Sequence, residues 1–281
     1  MKFSHKKISL LNLVAGIIFV FSSMGWPQEY LLVCNQENFF QTKNRDLERK
    51  IAQAESLIAV GKQKEAIAIY ESIVKVNSEH LRSWQRLAQL YSWNDMPDKT
   101  ISAYEEIVRL NPMDIDAQKT LAQFYLWNDK QTEAIDLYEK ILVFQPDDLE
   151  IHKKLAQLYS WNNQPEKAIA QYEKIVSLDS TDTATMKMLA DQYFWQNKVA
   201  DGIRMLEKIV AQEPDSVQYR KKLAQQFVWN NQPQKAIEQY EEILKQNPND
   251  TEILKKLAQQ YMWNNRPGDA APLYEKLIAL Q

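Results

Sequence analysis

A single cysteine, Cys34, stands in 281 residues, so no intrachain disulfide can form and no cysteine-based zinc site can be built. Histidine is almost as scarce. His5, His80 and His152 are scattered, whereas metal ligation needs clustering, so each is expected at the surface. Only five glycines occur. No Gly-rich phosphate loop, G-x-S-x-G or H-E-x-x-H stretch is present. The carboxylates recur by register, as at Glu71, Glu105, Glu139, Glu173, Glu207, Glu241 and Glu275. A residue repeated seven times serves a scaffold, because an active site is usually built once. The chain is therefore read as non-enzymatic, with no cofactor and no metal.

Long apolar runs are also rare. One occurs, ISLLNLVAGIIFVFSS, after the basic start MKFSHKK. With Ser23 and Gly25 placed for cleavage, residues 1–25 read as a signal peptide. Uncleaved, the same segment would be an inner-membrane anchor, although it is short for the ~20 residues a span needs. A lipoprotein reading at Cys34 is disfavoured by Val33, which is not small. Cleavage would remove Lys2, Lys6 and Lys7, leaving 31 of the 34 basic residues against 37 acidic ones, a net charge of −6. That balance argues against nucleic acid as a partner. The expected location is exported, periplasmic or envelope-associated, with membrane contact only through an uncleaved N-terminal segment.

What the chain has in excess is order. Trp93, Trp127, Trp161, Trp195, Trp229 and Trp263 lie 34 residues apart, each two residues after a Tyr or Phe. Other columns keep that step. Ala54, Ala88, Ala122, Ala156, Ala190, Ala224 and Ala258 form one. Ala66, Thr100, Ala134, Ala168, Gly202, Ala236 and Ala270 form a second. Tyr70, Tyr104, Tyr138, Tyr172, Tyr240 and Tyr274 form an aromatic column, with Leu206 as its departure. Pro112, Pro146, Pro214 and Pro248 close four units. Each unit reads as two helices. In Leu149 to Asp182, Leu155, Ala156 and Tyr159 mark one apolar face. Asn162 and Asn163 break the pattern, since Asn tolerates the left-handed conformation that ends helices. Pro165 suits the start of the next helix, where Ala168, Ile169, Tyr172, Ile175 and Val176 repeat at helical spacing. Neither helix can bury its stripe alone, so stacked units must share a core.

The small–aromatic–small–aromatic–proline order of Ala156, Tyr159, Ala168, Tyr172 and Pro146 resembles the tetratricopeptide repeat family over about residues 47–281. The resemblance implies an all-α fold, a right-handed superhelical solenoid of about seven helix-turn-helix units. It also implies that the first helices line a concave, ligand-binding face. Residues 26–46 show no repeat and read as a linker or irregular N-terminal cap. The family's turn glycine survives only as Gly61, and its first-helix glycine is Ala throughout. In the last unit, Asp269 is expected to N-cap the second helix, which would place Pro272 in its first turn.

At 100° per residue, Trp161 falls beside Glu150, Lys153 and Gln157, away from Leu155, Ala156 and Tyr159. Two arrangements fit. Each ring could tuck against the next unit's first helix and serve stacking. Alternatively the rings could line the concave face as an aromatic ladder. The candidate ligand-binding set is the six tryptophans with a lysine column, Lys119, Lys153, Lys187, Lys221 and Lys255, and an amide column, Gln123, Gln157, Gln225 and Gln259, in which Asp191 takes the remaining place. The Lys-then-amide spacing is similar to the carboxylate clamp of some peptide-binding members of the family. A competing reading pairs the lysines with acids three residues earlier, such as Asp116, Glu150 and Glu252. The function expected is a binding scaffold that docks a protein or peptide partner in an envelope assembly or secretion system. The alternative is a glycan-handling module. Tryptophan-bearing arrays of this kind are similar to the periplasmic helical segments of bacterial exopolysaccharide and cellulose export proteins, which would make a polysaccharide the ligand.

Overall fold

The computed structural model describes residues 28–280, with side chains from residue 41. The signal or anchor expectation for residues 1–25 lies outside them. The described residues form fourteen helices and no strand. In chain order these are α1 (Gln28–Ala59), α2 (Gln63–Val76), α3 (Leu81–Trp93), α4 (Pro97–Leu110), α5 (Ile115–Trp127), α6 (Gln131–Phe144) and α7 (Leu149–Trp161). They continue as α8 (Pro165–Leu178), α9 (Thr183–Trp195), α10 (Val199–Gln212), α11 (Val217–Trp229), α12 (Pro233–Gln246), α13 (Thr251–Trp263) and α14 (Pro267–Ala279). Odd-numbered helices are the first helices of the units and even-numbered ones the second. The segment that reads as a linker or irregular cap is helical from Gln28 and runs without a break into the first unit. Among the described residues no helix is long and apolar enough to cross a membrane.

The chain divides into two compact units, Met1–Phe124 and Tyr125–Gln281. In each, adjacent helices pack as antiparallel hairpins because the short links leave no other option. The small columns occupy the closest approaches. Ala54, Ala122, Ala156, Ala190, Ala224 and Ala258 have no exposed surface, and neither do Ala66, Ala134, Ala168 and Ala236. Leu155, Ala156 and Tyr159 of α7 meet Ala168, Ile169, Tyr172, Ile175 and Val176 of α8, all buried. Gly202 stands in the small column of α10 for a local reason. A Cβ there would lie 2.5–2.8 Å from the ring of Phe194, so the bulkier residue of α9 is matched by a missing methyl group on α10.

Helix ends are set by short-range chemistry. Asp148 accepts bonds from the backbone N–H groups of Glu150 and Ile151. Asp182 accepts from Thr185, and Asp250 from Ile253. These satisfy donors that a helix start leaves orphaned. Pro97, Pro165, Pro233 and Pro267 each open a second helix, where no N–H is needed. The last of these corrects the expectation for Pro272. α14 begins at Pro267 with Arg266 at the cap position, so Asp269 sits in the first turn and Pro272 lies inside the helix. A proline already available at the first position starts the helix earlier than the acidic cap would.

Candidate binding face

The Trp-Asn-Asn signature separates into parts with different causes. The first Asn closes the helix. Asn162 donates its side-chain amide to the Leu158 carbonyl at 2.9 Å. Asn94, Asn230 and Asn264 do the same to Leu90, Gln226 and Gln260. The second position takes the left-handed conformation, with φ of 54° at Asn163, 57° at Asn197 and 53° at Asn231. Gly61 fills this role in the first unit, at φ 78°. Both asparagines thus serve the turn.

The tryptophan does not. Trp93 in the first compact unit is 60% exposed. In the second, Trp127, Trp161, Trp195, Trp229 and Trp263 are 66–76% exposed. The arrangement in which each ring tucks against the next first helix is therefore not the one adopted. The hairpin core closes on Tyr159 and Leu158, 2% exposed each, and the indole one turn further on lies outside it.

The lysine column is exposed at Lys153, Lys187 and Lys255 and half-buried at Lys119 and Lys221. At Lys153 and Lys221 the charges are engaged differently from the three-residue pairs. Lys153 reaches Asp182, the capping residue of the next first helix, at 2.7 Å. Lys221 reaches Asp250 at 3.2 Å and Glu252 at 3.0 Å. These are links between successive repeats. An incoming carboxylate at Lys153 or Lys221 would have to compete with these acids. Desolvation would raise the Asp182 pKa, but the bonds from Lys153 and from the Thr185 backbone and hydroxyl outweigh it and leave it below the usual range. In the amide column, Gln157 is exposed, and Gln123, Gln225 and Gln259 are half-buried.

Three groups of residues escaped the sequence reading. Tyr91, Tyr159, Tyr193 and Tyr261 donate their hydroxyls to Glu71, Glu139, Glu173 and Glu241 of the preceding repeat. That accounts for much of the recurring glutamate column. Gln118, His152 and Arg220 donate to the carbonyls of Pro112, Pro146 and Pro214. Trp84 does so to Ser78. His152 is therefore a buried structural residue, 5% exposed, and not the surface histidine expected. A polar donor six residues after the closing proline was the signal available. The third group centres on Met188, 53% exposed.

Met188 sits in a cleft of about 640 Å³ between α7 and α9. It brings together four expected site residues, Lys153, Gln157, Trp161 and Trp195, with Tyr172 of α8 on the wall. Among the described residues no group of three or more His, Cys, Asp or Glu is arranged to hold a metal ion.

An array of stacked helical hairpins with a register-bound outward aromatic defines a repeat scaffold. Two family models, each described as tetratricopeptide repeat, match the chain, one over residues 161–225 and the other over residues 115–158 and 219–259. These segments are tetratricopeptide repeats. No curated protein matches the chain. Among solved structures, Naa15/Naa10 bound to HypK-THB superposes with a TM-score of 0.58 at 18% identity, covering 80% of this chain and 35% of that one. That likeness supports the fold. MamA aligns at 21% identity and TM-score 0.43, over 59% of this chain and 91% of its own. YrrB, described as a tetratricopeptide repeat protein with an unusual peptide-binding site, aligns at 16% identity and TM-score 0.44, over 66% and 96%.

Proposed function

We propose that this chain is a non-enzymatic scaffold that docks a protein or peptide partner on the face formed by its first helices. The reading includes export and a role in an envelope assembly or secretion system, on the strength of the basic start and apolar run in residues 1–25. The observation that carries it is the exposure of a tryptophan at the end of every first helix from Trp93 onward. A Trp offers roughly 150–250 Å² of surface. At about 25 cal/mol per Å² its full burial is worth about 4–6 kcal/mol. Folding leaves most of that unused at each repeat, and a partner that covers the rings would gain it.

The test is a Trp161→Ala, Trp195→Ala double variant of the mature chain. Its helicity and stability should stay within about 0.5 kcal/mol per site, as for exposed residues. Wild-type protein on beads should retain a specific chain from a periplasmic extract, and the variant should not. Retention of that chain by both, or of none by the wild type, rules against the reading. The glycan alternative is supported by the exposed amide of Gln157 beside Trp161 and Trp195, since indole faces suit sugar rings and amides suit hydroxyls. It requires that soluble neutral or anionic oligosaccharides change the tryptophan emission, and an unchanged spectrum across both would eliminate it.

A further inference from the structure

Residues that recur in every repeat hold the array together, so a specificity site should lie where the repeat is broken. The register positions of Arg86, Thr120, Lys154, Lys222 and Lys256 carry polar or cationic side chains on the first helices. On α9 that position is Met188, 53% exposed, in the cleft between Trp161 and Trp195. The charges lining the same cleft are already engaged. Lys153 holds Asp182, Asp182 also accepts from the Thr185 hydroxyl, and Asp191 is held by Lys222 at 2.5 Å. No charged group of the cleft is left to pair with an incoming carboxylate, and its remaining side-chain donors are neutral, such as Gln157 and the two indoles.

A second break lies on the neighbouring residue of α9. Lys153 and Lys221 find acids in the next repeat, Asp182 for one and Asp250 with Glu252 for the other. The corresponding positions ahead of Lys187 are Ser216 and Gln218, which are not acids. Lys187 is exposed and, among the described residues, makes no ion pair. Lys187 thus stands one residue before Met188, the one large apolar side chain in a column whose first-unit member is Ala52, on a helix that ends in Trp195.

Resting on the protein-docking reading above, we infer that α9 is the specificity element of the face. Its occupant is a polypeptide segment that carries a large apolar side chain with an Asp or Glu close beside it. The apolar side chain seats over Met188 between Trp161 and Trp195, and the carboxylate pairs with Lys187. Charge complementarity selects this occupant over a basic segment.

A random-sequence peptide display library selected on the mature full chain tests this. Peptides with a large apolar residue flanked by an acid should be enriched. Met188→Lys, which only restores the residue found at Lys154 and Lys222, should weaken the selected peptide about thirtyfold, the scale of an interface hot spot. Lys187→Glu should weaken it similarly, and selection on that variant should turn to Lys or Arg flanks. Enriched peptides that lack the pattern, or that tolerate both substitutions yet are lost with Trp161→Ala and Trp195→Ala, overturn the inference and leave the docking reading standing. No enrichment on any form of the protein overturns both.

Discussion

The cleft between α7 and α9 has a counterpart between α3 and α5, which shares part of its register positions two repeats earlier in the chain. Both take one wall from an equivalent tyrosine, Tyr172 and Tyr104, and both include the capping aspartate of the next first helix, Asp182 and Asp114. They are similar in size, about 640 and about 580 Å³. Their chemistry is opposite. The α3/α5 cleft is lined by Arg82, Gln85, Arg86, Gln89 and Asp116, and Arg86 is fixed by Glu55 of α1 at 2.7 Å from its Nε. The α7/α9 cleft presents Met188 and two indoles. Inward residues such as Tyr104 and Tyr172 set the walls, and outward ones such as Thr120 and Met188 change the lining. The fold therefore supplies similar recesses and leaves the ligand chemistry to a few exposed side chains.

The sharpest test of that likeness is in the core beneath the two clefts. Leu87 and Leu155 occupy the same register position and neither has exposed surface. Leu87→Ala and Leu155→Ala should each cost about 2–5 kcal/mol in denaturant unfolding. A clear disparity between them would show that the repeats are not energetically interchangeable. A smaller effect separates the α9 region from the rest. Gly202→Ala should destabilise by about 1–3 kcal/mol through the clash with Phe194. Adding Phe194→Ser, the residue present at Ser92 and Ser160, should remove the clash. Equal stability of Gly202→Ala and wild type would mean that the ring shifts freely.

The smallest expected effect concerns the tyrosine links that both regions share. Burial first, and then the bonds to Glu71 and Glu139, push the Tyr91 and Tyr159 pKa values above the ordinary 10.0. A raised folded pKa contributes stability that is complete below pH 10 and is lost as pH rises toward the folded value. Thermal stability should therefore fall on alkaline titration above pH 10. Tyr91→Phe and Tyr159→Phe should each flatten that slope and cost about 1 kcal/mol at neutral pH. Phe227, already without a hydroxyl at this position, shows that the repeat accommodates the change. A slope unaltered in both variants would remove the links from the account.

Much of this was legible in one sequence because the period is strict. Hydrophobic spacing placed Leu155, Ala156 and Tyr159 on one face, and all three are buried. Backbone chemistry placed the break at Asn163 and the restart at Pro165, as observed. The outward direction of the tryptophans followed from 100° per residue. Interactions between repeats were harder to read. Lys153 pairs with an acid 29 residues ahead and not with Glu150 three residues back, because stacking brings the next cap closer than the preceding turn. His152 is composed like a surface residue, yet it is enclosed between Gln171 and the Pro146 carbonyl. Pro272 is expected in a first turn capped by Asp269, but Pro267 starts the helix five residues earlier.

The sequence by itself determined the repeat, the helix pairs, the caps and the side of each first helix on which the indole lies. All of these depend on contacts within a turn or two, where spacing along the chain and position in space are nearly the same thing. Only the tertiary structure decided which charges are engaged, which rings stay in solvent and where the repeat opens an apolar cleft. Those outcomes depend on residues about 30 positions apart meeting across stacked hairpins, at distances that register alone does not fix.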